Sequence, residues 1–489
     1  MSFQSFPAKP FIVFSILIIS VVVLGFLPVK WSLFPSVKIF YKRVTRDRNM
    51  KVYSEMPPEP EKVTSEIEDV EKSLENDTSV EKAVSPVKTM KRNLPYIEKG
   101  QLMKPEISRI FEIPCVKEGP GCKKWALDSF FESLDKIKSG KQSVVTWYGD
   151  SITSGDKVIS TFRDRIQKKF GDSGPGFVFI KNIWHWQTHS QLYLSYNYWN
   201  VTYNILKNPV NHRMFGLGGI LVEKTGMGGM TTWKLRENYK KPFNSIVFHF
   251  IRHPEGGDVS IRIRDRVLKT ISTAGKSSKE DYVRVDGFET DIITVETLGG
   301  FVQAGGAVLS NNSPGVSVDT ISLTGARMSN LATMKTESML GNLDKRGTRL
   351  MVMQFGLNES DGGIDDNYKN TVRKLMASIS SRFEKMSCLI IGPTDVVRKY
   401  RGEYQTKPVI HHIIEFQREI ATNYGCAYFN AWKAMGGNAS IVKWYERKPR
   451  LAVGDLTHFT DDGGALLGSI IYLEVIKAYR RYLKGQGSH

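Results

Sequence analysis

Cysteine is scarce in this sequence, and several common motifs are missing. Four cysteines in 489 residues exclude a disulfide-dense scaffold, and none has the paired spacing of a zinc site. The chain has no internal repeat, no Walker phosphate-binding loop and no dinucleotide-binding fingerprint, so these patterns do not explain its function. Hydrophobic residues make up 41% and charged residues 24%, a globular balance that excludes whole-chain disorder.

Acidic residues are outnumbered by basic ones. The chain has 50 Asp and Glu against 68 Lys and Arg, which gives a net charge of +18. Such a surface favours a polyanionic partner: nucleic acid, anionic lipid or an acidic cell-wall polymer. No nucleic-acid-binding motif accompanies the charge, so we expect no nucleic-acid partner. At 489 residues the chain is also too long for one core, and two or three folded units are expected.

Residues 10–29 form an uncharged run near the N-terminus, bounded by Lys9 and Lys30. A run of this length can cross a bilayer as a helix, and no Ala-x-Ala-like cleavage site follows it, so we predict an uncleaved transmembrane signal anchor. The alternative is a buried core helix, but a Pro- and Glu-rich tail follows and offers nothing to bury it. Basic residues after the run would keep the bulk of the chain cytoplasmic by the positive-inside rule. The motifs described below nevertheless favour a periplasmic or extracytoplasmic position for the folded part of the chain, and the conflict stays open.

Composition divides the chain into segments. Residues 54–86 are rich in carboxylates and poor in large apolar side chains, which is typical of a solvated spacer. Short β-rich runs between glycine, asparagine and aspartate turns predict an antiparallel β-sandwich, which interrupts an α/β region of alternating helices and strands. The predicted segments are an N-terminal tail (1–9), the transmembrane anchor (10–29), a charged and largely disordered spacer (30–105), an α/β domain in two parts (106–176 and 319–485) and the inserted sandwich (177–318).

Ser151 is a candidate nucleophile. It follows the apolar strand 143–148 on a tight Gly-Asp-Ser turn, and active sites form at the carboxyl ends of parallel strands. An ordinary helix cap is an equally good interpretation of Ser151 alone. A serine nucleophile needs a base that is oriented by a carboxylate, and Asp455, three residues before His458, can supply both from one loop. Asp455 could instead cap the helix that follows.

Acyl transfer also needs N–H donors for the negatively charged oxygen of the tetrahedral intermediate. Asn358 ends an apolar strand within the run Gly-Leu-Asn-Glu and can supply a side-chain amide. Two glycine groups compete to supply a backbone N–H: residues 226–229 and Gly325. The 33-residue separation of Gly325 from Asn358 would be filled by one helix and one strand, so the spacing favours Gly325.

Four blocks, taken in chain order, resemble the SGNH (GDSL-type) esterase and acyltransferase family. The blocks are GDS (149–151), the glycine of SLTGA (322–326), GLNE (356–359) and DLTH (455–458). The resemblance implies a three-layer, flavodoxin-like α/β fold with a parallel sheet, and neither a metal nor an organic cofactor. Glu359 stands where many members carry Asp, which leaves the preceding Asn in place.

The resemblance also assigns the roles of the site residues. It implies Ser151 as the nucleophile, His458 as the general base and acid, and Asp455 as the carboxylate that orients His458. It further implies an oxyanion hole made of the Ser151 N–H, the Gly325 N–H and the Asn358 side chain.

The β-rich insertion is similar to that of one branch of the family, the membrane-anchored or periplasmic bacterial members related to peptidoglycan O-acetylesterases. Those members carry an inserted carbohydrate-binding-module-like sandwich. The similarity implies a serine esterase that removes O-acetyl groups from a cell-envelope polysaccharide, with peptidoglycan as the expected polymer. Two alternatives stay open: an O-acetyltransferase with the same triad, and a non-catalytic glycan-binding protein. Candidate sugar-stacking residues in an aromatic-rich run, for which core packing is the alternative, are Trp184, Trp186 and Tyr196.

The remaining cysteines and histidines are assigned more modest roles. Cys115 and Cys122 flank a Pro-Gly turn at a separation that a disulfide could close in an exported chain, whereas Cys388 and Cys426 open apolar strands and are predicted to be buried, unpaired thiols. His185 and His189 could contact substrate, but two histidines do not make a metal site. His411 and His412 are predicted to pack or to lie on the surface.

Overall fold

The structure is a computed structural model that describes residues 110–119, 121–206 and 214–486. The predicted transmembrane anchor (10–29) and spacer (30–105) lie outside these residues. Within the described part, no helix is both long enough and apolar enough to cross a membrane. The anchor therefore stays a prediction.

Helices alternate with strands in the first and last parts of the described chain, whereas the residues between contain strands without helices. The strands are β1 (Phe111–Glu112), β2 (Cys115–Gly119), β3 (Gly121–Trp125), β4 (Gln142–Gly149), β5 (Gly176–Val178), β6 (Leu192–Asn197), β7 (Val201–Asn204), β8 (Ile220–Leu235), β9 (Phe243–Arg252), β10 (Asp258–Ile263), β11 (Arg266–Ser272), β12 (Lys279–Thr290), β13 (Ile292–Ser310), β14 (Gly315–Ser322), β15 (Thr348–Gln354), β16 (Ser387–Ile391), β17 (Val397–Tyr400), β18 (Glu403–Thr406) and β19 (Ala427–Phe429). The α-helices are α1 (Asp128–Asp135), α2 (Lys157–Phe170), α3 (Thr336–Arg346), α4 (Glu359–Gly362), α5 (Asp366–Ser380), α6 (Val409–Tyr424), α7 (Ala431–Ala434), α8 (Ser440–Glu446) and α9 (Asp461–Gln486).

The central sheet has six strands in the order β1-β19-β16-β15-β4-β14. Strand β1 is antiparallel to β19, and the other five strands are parallel to one another. Numbered along the chain, these five have the order 2-1-3-4-5, which is the doubly wound, flavodoxin-like arrangement. The parallel α/β sheet predicted from the sequence is therefore confirmed. The strand order reverses between β4 and β15, and this switch point is where such sheets bind ligands.

Helices cover both faces of the central sheet. Because parallel crossovers are right-handed, the reversal at the switch point places α2 on one face and α3, α5 and α6 on the other. Helix α9 packs along α2. An aromatic contact joins α2 to the sheet, since the rings of Trp147 on β4 and Phe162 on α2 meet edge to face with 5.3 Å between their centroids. Coverage on both faces buries every residue of β14 and all but the first residue of β4.

Strands β5 to β13 form a nine-stranded sheet that is antiparallel throughout. The long strand β13 joins its parts, because the first half of β13 pairs with β10 and the second half pairs with β9 and β5. The register of β13 shifts twice against β8 near Leu298, which lets the strand bend. This sheet has a buried apolar cluster of its own, which includes Trp233, Phe248 and Val295. The division into domains, and the description of this region as a sandwich, stay predictions.

One predicted boundary needs correction. The predicted insertion includes residues 315–318, but these residues open β14, which pairs in parallel with β4 of the central sheet. Strand β5 likewise begins at Gly176, one residue before the predicted start of the insertion at 177. The alternation of apolar and polar residues in this stretch resembled the preceding β-rich runs, so the sequence pattern alone did not reveal which sheet the strand joins.

Two disulfides cross-link the described residues. Cys115 and Cys122 form a bridge across the hairpin of β2 and β3. The prediction for the other pair is wrong: Cys388 and Cys426 are bonded to each other and are not free thiols. Cys388 lies on β16 and Cys426 directly precedes β19, its parallel neighbour, so the sheet brings the two Cα atoms to 4.6 Å. This proximity depends on strand order, which the local sequence does not show.

Candidate active site

The four sequence blocks meet at the carboxyl ends of the parallel strands. Ser151 follows β4, Gly325 follows β14 and Asn358 follows β15, while His458 lies in the loop before α9. The turn after β4 is tight, because a Cβ atom at Gly149 would lie 2.4 Å from the Thr153 hydroxyl oxygen. Only glycine fits at this position, and the turn then exposes Ser151 at the edge of the sheet.

Ser151, His458 and Asp455 form a continuous hydrogen-bonded chain. The Nε2 atom of His458 lies 2.9 Å from the Ser151 Oγ atom, and its Nδ1 atom lies 2.7 Å from the Asp455 Oδ2 atom. The second oxygen of Asp455 accepts the backbone N–H groups of Thr457 and His458, which fixes the carboxylate in the loop. Leu456 adopts a left-handed backbone (φ 54°), and this turn brings Asp455 and His458 face to face.

The environment of Asp455 favours its charged form. Partial burial opposes ionisation, but the hydrogen bonds from the His458 backbone and ring outweigh it and hold the pKa of Asp455 below its usual range. The carboxylate is therefore ionised at neutral pH and can stabilise a protonated imidazole ring. The His458 and Asp455 side chains are 40% and 49% exposed, so water reaches this end of the site.

The turn that carries Ser151 is tied to the block that carries Asn358. The buried carboxylate of Asp150 accepts the N–H of Ile152 through Oδ1 (2.9 Å) and the N–H of Leu357 through Oδ2 (3.3 Å). Burial raises the pKa of Asp150 to about 7 despite these donors, and the nearby carboxylate of Glu359 adds to the rise. We assigned no role to Asp150 from the sequence, because its link to Leu357 depends on the pairing of β4 with β15.

Gly325 lies beside Asn358. The Nδ2 atom of Asn358 donates to the carbonyl of Ala326, the neighbour of Gly325, at 2.8 Å. An amide nitrogen carries two hydrogens, so the second remains to meet a ligand. Gly325 has a left-handed backbone (φ 85°), and a Cβ atom there would contact Leu206 alone, at 3.9 Å, so the space in front of it is open among the described residues. The competing Gly229 lies within β8, where its N–H donates to the Thr297 hydroxyl.

Glu359 connects the loop that follows Gly325 to the loop that carries Asn358. Its buried carboxylate accepts the N–H of Met328 and the hydroxyl of Tyr368, both at 2.8 Å, through Oε1. Burial raises the pKa of Glu359 above its usual value. Sequence reasoning noted Glu359 only as a departure from the family pattern. The structure shows that it holds the loop after Gly325 against the loop that carries Asn358.

The three candidate sugar-stacking residues lie in different surroundings. Trp186 is 44% exposed, and its indole N–H donates to the hydroxyl of Thr324, which precedes Gly325. Trp186 is thus next to the candidate oxyanion site. Tyr196 packs instead against the buried cluster of the nine-stranded sheet, and its hydroxyl donates to the carbonyl of Asn182. Trp184 is partly buried in the same loop as Trp186, and its carbonyl accepts the backbone N–H of Gln187.

Two other histidines are positioned by packing. The ring of His411 on α6 meets the ring of Trp432 edge to face, with 4.9 Å between their centroids. His189 is enclosed near Asp156 and Arg163, and burial lowers its pKa to about 3, which keeps the ring neutral. The described residues contain no cluster of three side chains that could hold a metal ion.

No protein-family model matches this chain, and no curated protein matches it either. Solved structures with a similar fold do exist. A structure of a peptidoglycan O-acetylesterase matches 72% of this chain and 96% of its own length, with a TM-score of 0.62 and 20% identity. The chain therefore has the fold of that esterase.

Two further matches are much weaker. The acetyl xylan esterase AlAXEase covers 33% of this chain and 81% of its own length, with a TM-score of 0.26 and 14% identity. The salicylyl-acyltransferase SsfX3 from a tetracycline biosynthetic pathway covers 62% and 96%, with a TM-score of 0.25 and 13% identity.

Proposed function

We propose that this chain is a serine esterase that removes O-acetyl groups from a cell-envelope polysaccharide, with peptidoglycan as the expected polymer. The observation that carries the proposal is the position of His458, which is within hydrogen-bond distance of both Ser151 and Asp455. A nucleophile, a base and an orienting carboxylate in this order are the machinery of acyl transfer.

In the proposed mechanism, His458 Nε2 takes the proton of Ser151 as Oγ attacks the acetyl carbonyl carbon. The carbonyl oxygen becomes negatively charged and is stabilised by the N–H groups of Ser151 and Gly325 and by the Asn358 amide. The C–O bond to the sugar then breaks, and His458 returns the proton to the sugar oxygen. A water molecule repeats the sequence on the acetyl-serine ester, which releases acetate and restores the serine.

The exposure of the site supports hydrolysis over transfer. Transfer to a sugar hydroxyl requires that water be kept away from the acetyl-serine ester, and the side chains of His458 and Asp455 are 40% and 49% exposed. Water can therefore compete for the ester. For this reason we place the acetyltransferase second.

The choice of polymer is supported by the fold and by one aromatic side chain. A solved structure that matches 72% of this chain carries the name peptidoglycan O-acetylesterase. Trp186 offers an exposed ring beside Gly325, where a sugar next to the scissile ester would lie.

We further propose that the catalytic domain is held on the extracytoplasmic side of a membrane by residues 10–29. Disulfides persist in oxidising compartments, and the described residues contain two. Alkylation of the protein in its native membrane before reduction, followed by mass spectrometry, tests this. Free thiols at Cys115, Cys122, Cys388 and Cys426 would contradict export.

Acetate release from O-acetylated peptidoglycan tests the activity. The full chain and its Ser151→Ala variant are incubated in parallel with O-acetylated peptidoglycan, with acetylated xylan and with an aryl acetate. We expect release from peptidoglycan and from the aryl acetate by the wild-type chain alone. Equal release by the Ser151→Ala variant would contradict the assigned nucleophile, and release from xylan in preference to peptidoglycan would contradict the assigned polymer.

A further inference from the structure

A cavity of about 610 Å³ opens at the amino ends of the parallel strands, at the opposite edge of the sheet from Ser151. It is lined by the starts of β4, β14 and β15, by the end of α3, and by β9, β12 and β13 of the nine-stranded sheet. Strand β4 has eight residues, so at about 3.3 Å per residue its two ends lie about 23 Å apart. The cavity is therefore separate from the candidate active site.

Positive charge predominates among the side chains that line the cavity. The charged lining residues are Arg284, Lys345, Arg346, Arg349 and Asp281.

Two of the four cations are already neutralised. Arg346 donates to the carboxylate of Asp319 at 2.9 Å, and Arg284 donates to Asp286 at 2.7 Å. The carboxylate lining the cavity, Asp281, is likewise paired with an arginine, Arg252, at 2.5 Å.

Lys345 and Arg349 are the two remaining cations, and neither forms an ion pair with a carboxylate of the described residues. Both side chains are exposed, at the end of α3 and the start of β15. The Lys345 Nζ atom lies 4.1 Å from the centre of the Tyr282 ring, which positions the ammonium group at the cavity. Arg349 donates a hydrogen bond to the carbonyl of Lys385 at 3.2 Å, and Lys345 attracts the carboxylate of Asp281 without forming an ion pair with it. The cavity therefore presents two cations that form no direct ion pair among the described residues, one of them held over an aromatic ring.

A buried polar group also faces this space. The ring of His249 is 5% exposed and lines the cavity, and neither of its nitrogens has a hydrogen-bond partner among the described residues. Its Nε2 atom faces Glu280, with 3.6 Å between Nε2 and the nearest carboxylate oxygen, and its Nδ1 atom lies against Gly305. His249 is therefore positioned by Glu280 and Gly305 and forms a buried wall of the cavity.

We propose that this cavity is a second, non-catalytic binding site for an acidic glycan. Lys345, which is held over the Tyr282 ring, and Arg349 bind a carboxylate of the glycan. The assignment to a glycan rests on the proposed function, whereas the assignment to an anionic group rests on the charges alone. One polymer can bind at this cavity and at Ser151, which lies about 23 Å away. Binding at two points raises the effective concentration of the polymer at the active site.

Calorimetric titration of the full chain tests the site with three probes that carry no ester. The probes are hexameric oligogalacturonate, which is a carboxylated glycan, chitohexaose, which is a neutral one, and inorganic tripolyphosphate. The variants are Lys345→Glu and Arg349→Glu. The matched control is Lys374→Glu, which makes the same charge change on the exposed surface of α5, outside the cavity.

We expect oligogalacturonate to bind, and Lys345→Glu and Arg349→Glu each to weaken that binding by at least about tenfold. Lys374→Glu should change it by less than about twofold, the level expected of a screened surface charge. Oligogalacturonate that fails to bind, or that binds all variants equally, overturns the proposal. Tight binding of tripolyphosphate without oligogalacturonate overturns the assignment to a glycan. Because no probe is hydrolysed, these outcomes are independent of whether the chain is an esterase.

Discussion

The two ends of the parallel sheet hold their charged groups in different ways. At the carboxyl ends, the carboxylates of Asp150 and Glu359 accept hydrogen bonds from other loops, and that of Asp455 accepts them from its own loop. At the amino ends, Lys345 and Arg349 project without a carboxylate partner among the described residues. The difference suits two tasks, since bond-making requires fixed geometry, whereas the capture of a charged polymer requires accessible charge.

The largest expected effect concerns His458. His458→Ala should reduce turnover of an aryl acetate by more than about ten-thousandfold, because triad members act as a unit. The matched control is His411→Ala, which removes a ring that packs on Trp432 and should keep nearly full activity. Turnover is measured spectrophotometrically on both purified chains. If His458→Ala retains a tenth of the wild-type rate, the carboxyl ends do not carry the chemistry.

Asn358 should have the next largest effect. Asn358→Ala removes one donor to the developing oxyanion and should lower kcat by about a hundred- to a thousandfold, with little change in folding. Asn370→Ala on the exposed surface of α5 is the control and should leave kcat unchanged. A kcat for Asn358→Ala within threefold of wild type would remove Asn358 from the oxyanion site.

Substitution of Gly325 and of Gly229 distinguishes the two candidate donors of the backbone N–H. Gly325→Val places a side chain in the open space beside Asn358 and at a left-handed backbone position, so it should abolish small-ester turnover. Gly229→Val in β8 should retain turnover if the sheet still folds, which circular dichroism checks. The opposite pattern would assign the backbone N–H donor to Gly229 instead of Gly325.

Asp150 should make stability depend on pH. In the unfolded chain its carboxyl loses its proton near pH 4, whereas in the folded chain its pKa is raised to about 7. Between these values the unfolded state binds fewer protons, so the free energy of unfolding should fall as pH rises, by up to about 4 kcal/mol.

Denaturant titrations of wild type and Asp150→Asn between pH 4.5 and 8 measure this effect. Asparagine does not titrate. As pH rises, the unfolding free energy of the wild type should therefore fall relative to that of Asp150→Asn. A difference that is independent of pH would show that Asp150 has an ordinary pKa.

The smallest expected effect concerns Trp186. Trp186→Ala should lower kcat/KM on acetylated polymer by about two- to tenfold, the value of one aromatic contact, and spare the aryl acetate. Trp125→Ala removes an equally exposed indole from the β2–β3 hairpin and serves as the control. A loss on the aryl acetate equal to the loss on polymer would place Trp186 in the chemistry and not in sugar binding.

The parts of the site that were predictable are those encoded locally. An apolar strand precedes both Ser151 and Asn358, and a helix follows the Asp455–His458 pair. Each of these residues lies within a few positions of the strand or helix that marks it. Three features could not be predicted in this way: the Cys388–Cys426 bridge, the bond from Leu357 to Asp150, and the contact of Trp186 with Thr324.

Each of these three depends on which segments become neighbours in space. The bridge requires β16 beside β19, and the Asp150 contact requires β4 beside β15. Strand order is decided by the packing of the whole sheet, and no short stretch of sequence reports it. The same reason explains the misplaced boundary at residues 315–318.

The position of β4 in the sheet has a consequence for biosynthesis. Both ladder partners of β4 follow it at a distance along the chain, with Val318 of β14 opposite Val145. The intervening strands β5 to β13 are therefore synthesised while β4 still lacks its neighbours, and non-local pairings of this kind form slowly. An apolar strand that waits unpaired is prone to aggregate. We expect the yield of folded protein to depend strongly on chaperones during synthesis.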